Sequence, residues 1–163
     1  MTTTYILTAA LVLAVVRQLR GSKLAGPSLF VPLAIVAYVT TQYLRAIPTS
    51  GNDLELVGVG TVTGIVLGSL CGLHTLVYRD HENVPYARAT GIAAALWILG
   101  VTARLAFSLY AQHGGGATLA HFSVAHALTA QAWIAALVLM ALAEVVSRTA
   151  VLVLRSRSAI IAA

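Results

Sequence analysis

The chain has 163 residues, 59% of them hydrophobic and only 9% charged. Soluble domains carry about 25% charged residues, so most of this surface faces something other than water. A net charge of +5 does not signal nucleic acid here, because the basic residues sit at the ends of apolar segments rather than on one solvated face.

No polar segment is long enough to fold separately, so residues 1–163 read as a single transmembrane domain. The lone cysteine, Cys71, rules out an internal disulfide or a CxxC redox pair and is expected to pack as a small apolar residue.

Five apolar stretches follow in order, each near the ~20 residues that cross the hydrocarbon core. The first spans about 2–19; its apolar run, from about Thr2 to Val16, is followed by Arg17, Arg20 and Lys23, the reverse of a secretory signal's charge order. The second, about 28–46, is opened by Gly26-Pro27 and ended by the turn cluster Pro48-Thr49-Ser50-Gly51-Asn52. The third, about 54–78, closes at Arg79-Asp80-His81-Glu82-Asn83, and Pro85 opens the fourth, about 86–111. After the hinge Gly114-Gly115-Gly116, the fifth runs over about 119–147, with a cytoplasmic or interfacial extension to about 154. The predicted fold class is therefore an all-α polytopic bundle with five spans.

With the N-terminus outside, Arg17, Arg20, Lys23, Arg79, Arg88, Arg148, Arg155 and Arg157 fall inside, against Arg45 and Arg104 outside. That bias fixes the expected topology, N-terminus out and C-terminus in.

Gly60, Gly64, Gly68 and Gly72 repeat every fourth residue through the third stretch. They form one slowly drifting stripe on a helix, the pattern of a glycine zipper. Such a stripe lets another helix approach closely, within the bundle or in a second copy. Thr61, Ser69 and Thr75 are positioned to add interhelical hydrogen bonds.

Arg104 is costly inside a span and predicts a partner or a wet cavity. Asp53, Glu55, Arg45 and Gln42 lie at matching depth and form with it an expected outer polar cluster. Snorkelling to the headgroups is the alternative. Glu144 has two expected partners: Arg148 at i+4 on its own helix, or His74 near the inner end of the third span.

His121 and His126 are five apart, about 140° around a helix, and are poorly placed for one ion. No HExxH, no i,i+4 histidine pair, no GxSxG, no phosphate-cradling loop and no DxxD pair occurs. No metal, cofactor or catalytic residue is expected. Trp97 and Trp133 fall near mid-span and are expected to pack rather than anchor.

Asp53-Leu54-Glu55-Leu56 leads into the glycine ladder, and a polar hairpin, Arg88, Trp97 and Arg104 follow. Over residues 17–111 this pattern resembles the CcdC-like family of small bacterial membrane proteins. The resemblance implies a multi-spanning bacterial protein with no settled activity, and one cysteine argues against reading thiol–disulfide chemistry into that family name.

These readings point to a multi-pass protein of the bacterial plasma membrane. It would act through helix–helix association as an accessory or regulatory subunit, or as a homo-oligomer, with the third span as contact helix. A small transporter using the Arg104 site is the alternative, and a membrane enzyme or redox-cofactor protein the next.

Overall fold

A chain in hydrocarbon must satisfy every backbone N–H and C=O internally, so apolar segments of sufficient length become helices even when rich in glycine and β-branched residues. The computed structural model describes residues 22–23, 34, 38, 41, 48–79 and 84–158. Its elements are β1 (Ser22–Lys23), α1 (Asp53–Leu73), β2 (Thr75–Arg79), β3 (Pro85–Ala89), α2 (Gly91–Gln112), α3 (Gly116–Ala125) and α4 (Ala130–Arg157). Of these, α1, α2 and α4 are long and apolar enough to cross a membrane. At 1.5 Å per residue they measure about 32, 33 and 42 Å.

This corrects the five-span all-α expectation. Among the described residues there are three candidate spans, not five, and a small antiparallel sheet joins them. The expected spans at 2–19 and 28–46 lie outside the described residues, apart from the helical positions Ala34, Tyr38 and Thr41. The expected third span loses its last turns to β2 and the fourth its first turn to β3. Thr75, Val77 and Tyr78, and then Tyr86, are strand-forming residues that alternate across the sheet. The expected fifth span is cut in two. α3 ends at Ala125, and α4 starts at Ala130 with Thr129 as its N-cap, its hydroxyl accepting from Ala132 N–H.

The three strands order as β1-β3-β2. β2 pairs with β3 from Thr75↔Ala89 to Arg79↔Pro85, and β1 pairs with β3 through Ser22↔Ala87 and Lys23↔Tyr86. Thr90 joins the sheet to α2: its hydroxyl donates to His74 O at 2.6 Å and accepts from Ala93 N–H at 3.2 Å.

α1 and α4 lie parallel, since contacts between them advance together in number from Asp53–Thr129 to Gly72–Arg155. α2 runs antiparallel to both. It starts beside the end of α1, where Cys71 packs with Ala89 and Ala93 against Leu96 and Trp97. Small residues dominate this core: Ala93, Ala132 and Ala135 are fully buried. That composition suits a membrane bundle, where close backbone approach replaces the bulky apolar core of a soluble domain.

Candidate functional site

The α1–α4 seam is built from absent side chains. A Cβ added at Gly60 would lie 2.8 Å from Ala136 O, and one at Gly72 would lie 2.9 Å from the Val151 side chain. At Gly64 the added carbon would run into Met140 O, and at Gly68 into Glu144 O and Ser147 Oγ. The four ladder glycines thus meet one turn after another of α4, in the same chain.

Two of the hydroxyls expected to cross this seam, those of Thr61 and Thr75, turn back along their own chain instead. Thr61 donates back to Val57 O at 2.8 Å and Thr75 to Cys71 O at 2.8 Å, each within its own stretch of chain.

Charge closes the seam at both ends. Asp53 is fully buried; its Oδ1 accepts from Thr129 N–H and its Oδ2 from the Thr129 hydroxyl, both at 2.7 Å. One carboxylate therefore sits at the N-termini of two parallel helices, where both dipoles favour it. The adjoining loops interlock. Asn52 N–H donates to Ala127 O at 3.2 Å, and Gly51, at φ +51°, has Ala127 O where a side chain would go.

At the other end Arg155 Nη1 donates to Gly72 O, Leu73 O and Thr75 O at 3.0, 2.7 and 2.6 Å. Arg79 Nη2 donates to Ser156 O at 2.9 Å. The C-termini of α1 and α4 are thus each met by an arginine, the complement of the arrangement at Asp53.

Between these ends lies a charge pair inside the spans. Arg104 Nη1 on α2 donates to Glu144 Oε2 on α4 at 2.6 Å, with side chains 19% and 5% exposed. Gly100, one turn before Arg104, makes room: a Cβ there would stand 3.1 Å from both Glu144 carboxylate oxygens. Arg148, one turn further along α4, has its Nε buried with no hydrogen-bond partner among the described residues.

These positions depart from the expected clusters. Arg104 takes Glu144, while Asp53 is committed to Thr129 and Glu55 is exposed on the first turn of α1. Arg45 and Gln42 lie outside the described residues. His74 does not reach Glu144; its Nδ1 lies 2.9 Å from Leu70 O on the preceding turn. Glu144 makes no ion pair with Arg148 among the described residues. Thr129, and the pairing of Glu144 with Arg104, escaped notice in the sequence. Thr129 carried a signal, being an N-cap type directly before an apolar run. Glu144 as the partner of Arg104 carried a weaker one, since the small Gly100 on the arginine's own face admits a carboxylate from another helix.

A third feature is an open-sided cavity of about 420 Å³ between α2, α3 and α4, lined by Phe107, Ser108, Leu119, Ser123, Trp133 and Leu137 among others. Trp133 stacks on Phe107 at 5.2 Å and donates from Nε1 to Ser123 Oγ at 3.0 Å. His113, His121 and His126 are exposed. Among the described residues no three His, Cys, Asp or Glu side chains group as a metal site. Cys71 is buried and donates from Sγ to Ala93 O at 3.3 Å, so its contacts are those of a packing residue.

The fold and the site define a multi-spanning integral membrane helix bundle with extensive interhelix packing. Comparison with known proteins finds no matching family model, no matching curated protein and no matching solved structure.

Proposed function

We propose that this protein is an accessory or regulatory subunit of a bacterial plasma membrane, acting by helix–helix association. One observation carries the reading. Asp53 and Glu144, the buried carboxylates of the described spans, and the half-buried Arg104 are engaged between elements of this chain. With the ladder glycines turned to α4, association falls to the opposite face of α1. That face presents Val62 at 60% exposure and Val66 at 50%, with open space where Gly58 lacks a side chain. A β-branched, glycine-notched stripe suits a second helix, because stiff side chains lose little rotamer freedom on contact.

Photo-crosslinking in intact membranes tests this. A crosslinker at Val62 or Val66 is expected to trap a protein partner as a discrete heavier band, and a second, differently tagged copy reports whether that partner is this chain. Adducts to lipid alone at both positions would overturn the reading.

Membership of the CcdC-like family is likewise our proposal, carried by the acidic lead-in, the ladder and the placing of Arg88, Trp97 and Arg104. A second functional reading, transport, has one observation in its favour. Arg104 is partly exposed, and Ser108, one turn along its helix, lines the cavity.

A further inference from the structure

Residues directly opposite each other in an antiparallel pair share a face of the sheet. The register Thr75↔Ala89 and Val77↔Ala87 puts one set of side chains together, and Leu76↔Arg88 and Tyr78↔Tyr86 puts the other set on the reverse face. The first face is covered. Thr75, Ala87 and Ala89 are buried, and Val77 and Ala87 pack on Leu152 of α4.

The reverse face is open at three of its four residues, with Tyr86 half-buried. Leu76 is 55% exposed, Tyr78 is 38% exposed, and Arg88 is exposed beside them. The Tyr78 and Tyr86 rings stack at 5.8 Å, only 10° from parallel, giving a flat aromatic step. In the register of β1, Lys23 stands opposite Tyr86.

Connectivity fixes the depth of this face. β2 begins two residues after α1 ends, and β3 ends two residues before α2 begins. The sheet therefore lies where two spans leave the hydrocarbon, against the last turns of the longer α4. Tyrosine and arginine are the residues that settle at headgroup depth, rings at the boundary and guanidinium toward phosphate.

The charge balance selects the headgroup. Arg79, Arg88, Arg155 and Arg157 gather at this end. Arg79 and Arg155 hold helix carbonyls, whereas Arg88 stands on the open face. The described carboxylates are elsewhere: Asp53 and Glu55 open α1 at the far end, and Glu144 is taken by Arg104. Asp80 and Glu82 fall in the connection between β2 and β3, outside the described residues.

We propose that the Leu76–Tyr78–Tyr86–Arg88 face binds the headgroup of an anionic phospholipid of the surrounding leaflet. Arg88 holds the phosphate, the stacked tyrosines lie along the glycerol, and Leu76 meets the start of the acyl chain. This needs only the membrane placement and is independent of the accessory role.

The full chain in neutral detergent, offered equal phosphatidylglycerol and phosphatidylcholine of matched chain length, is read by native mass spectrometry. Phosphatidylglycerol is expected to be retained preferentially. One basic residue near an anionic surface contributes about 1 kcal/mol, so Arg88→Gln should lower that preference roughly fivefold. Arg88→Lys should keep most of it. Leu76→Arg, which adds a cation directly opposite Arg88, should raise it, and this gain does not depend on how well Arg88→Gln folds. Millimolar inorganic phosphate should leave the lipid adducts in place. Equal retention of the two lipids, an unchanged preference in Arg88→Gln or Leu76→Arg, or displacement by phosphate would each overturn the proposal.

Discussion

The two flanks of α4 are assembled by opposite means. Toward α1 the contact runs the length of the seam, backbone on backbone, with Gly60, Gly64, Gly68 and Gly72 leaving no space for another carbon. Toward α2 and α3 the contact is discontinuous: aromatic stacking at Phe107–Trp133, a single charge pair at Arg104–Glu144, and a cavity of about 420 Å³ between them. One flank gains attraction from many weak dispersion contacts at short range. The other relies on a few strong, directional contacts, which leave room for the helices to shift. In a bilayer, where lipid tails are as apolar as the helix surface, only the first kind of flank is expected to behave as a fixed unit.

The largest effect expected to separate the flanks is a side chain added in the seam. At Gly64 and Gly68 the first added carbon meets a backbone carbonyl, which cannot rotate away as a side-chain tip could. Overpacking of ordinary cores costs about 1–3 kcal/mol. Gly64→Leu or Gly68→Leu should exceed that range and melt well below the unsubstituted protein. Gly58→Ala, on the same helix with nothing within 4 Å, should be neutral or stabilising by up to about 1 kcal/mol. Thermal unfolding of the three variants by circular dichroism in one detergent makes the comparison. Equal melting of Gly58→Ala and Gly68→Leu would mean that the seam is not the rigid contact described.

The seam was the most legible part of the fold, because four-residue glycine spacing has a direct geometric meaning. What the pattern could not supply was the identity of the other helix, since every apolar span offers a candidate surface. The end of α1 was misjudged for a related reason. Thr75 to Tyr78 is apolar enough to extend a span, and hydropathy does not register that the same residues alternate as a strand. The break before α4 was invisible to breaker rules, because His126-Ala127-Leu128-Thr129 contains neither glycine nor proline. It is held by tertiary contacts, Ala127 O with Asn52 and Thr129 with Asp53. Arg104 was recognisable as a residue in need of a partner. Matching by depth led to Asp53, yet two helix N-termini had already claimed that carboxylate.

The charge pair ranks next. Removing one partner of a buried pair strands the other, at about 3–5 kcal/mol in well-buried cases. Arg104 retains 19% exposure, so part of its charge can reach polar surroundings and the lower end, about 3 kcal/mol, is expected for Glu144→Ala. Replacing both partners by methionine should recover most of that loss, because neither charge is then left in the spans. Stability in lipid nanodiscs, measured for the two single variants and the double variant, checks this. No recovery in the double variant would show that the pair acts with other groups. A stable double variant that loses solute flux in proteoliposomes would select the transport reading over the accessory one.

The smallest effect is expected on the looser flank, where it is most diagnostic. Ala111 lines the cavity, so Ala111→Leu places three carbons into space rather than into backbone. Cavity filling commonly stabilises by about 0.5–2 kcal/mol. The lower half of that range is expected, because the cavity is open-sided and lipid chains already solvate its apolar wall. Measured beside Gly64→Leu in the same melting experiment, the same added side chain should have opposite signs on the two sides of α4. A loss in Ala111→Leu comparable to that in the seam would mean that α2 and α3 are held as tightly as α1. The bundle would then be one rigid body, and the adjustable flank inferred from its aromatic and ionic contacts would not exist.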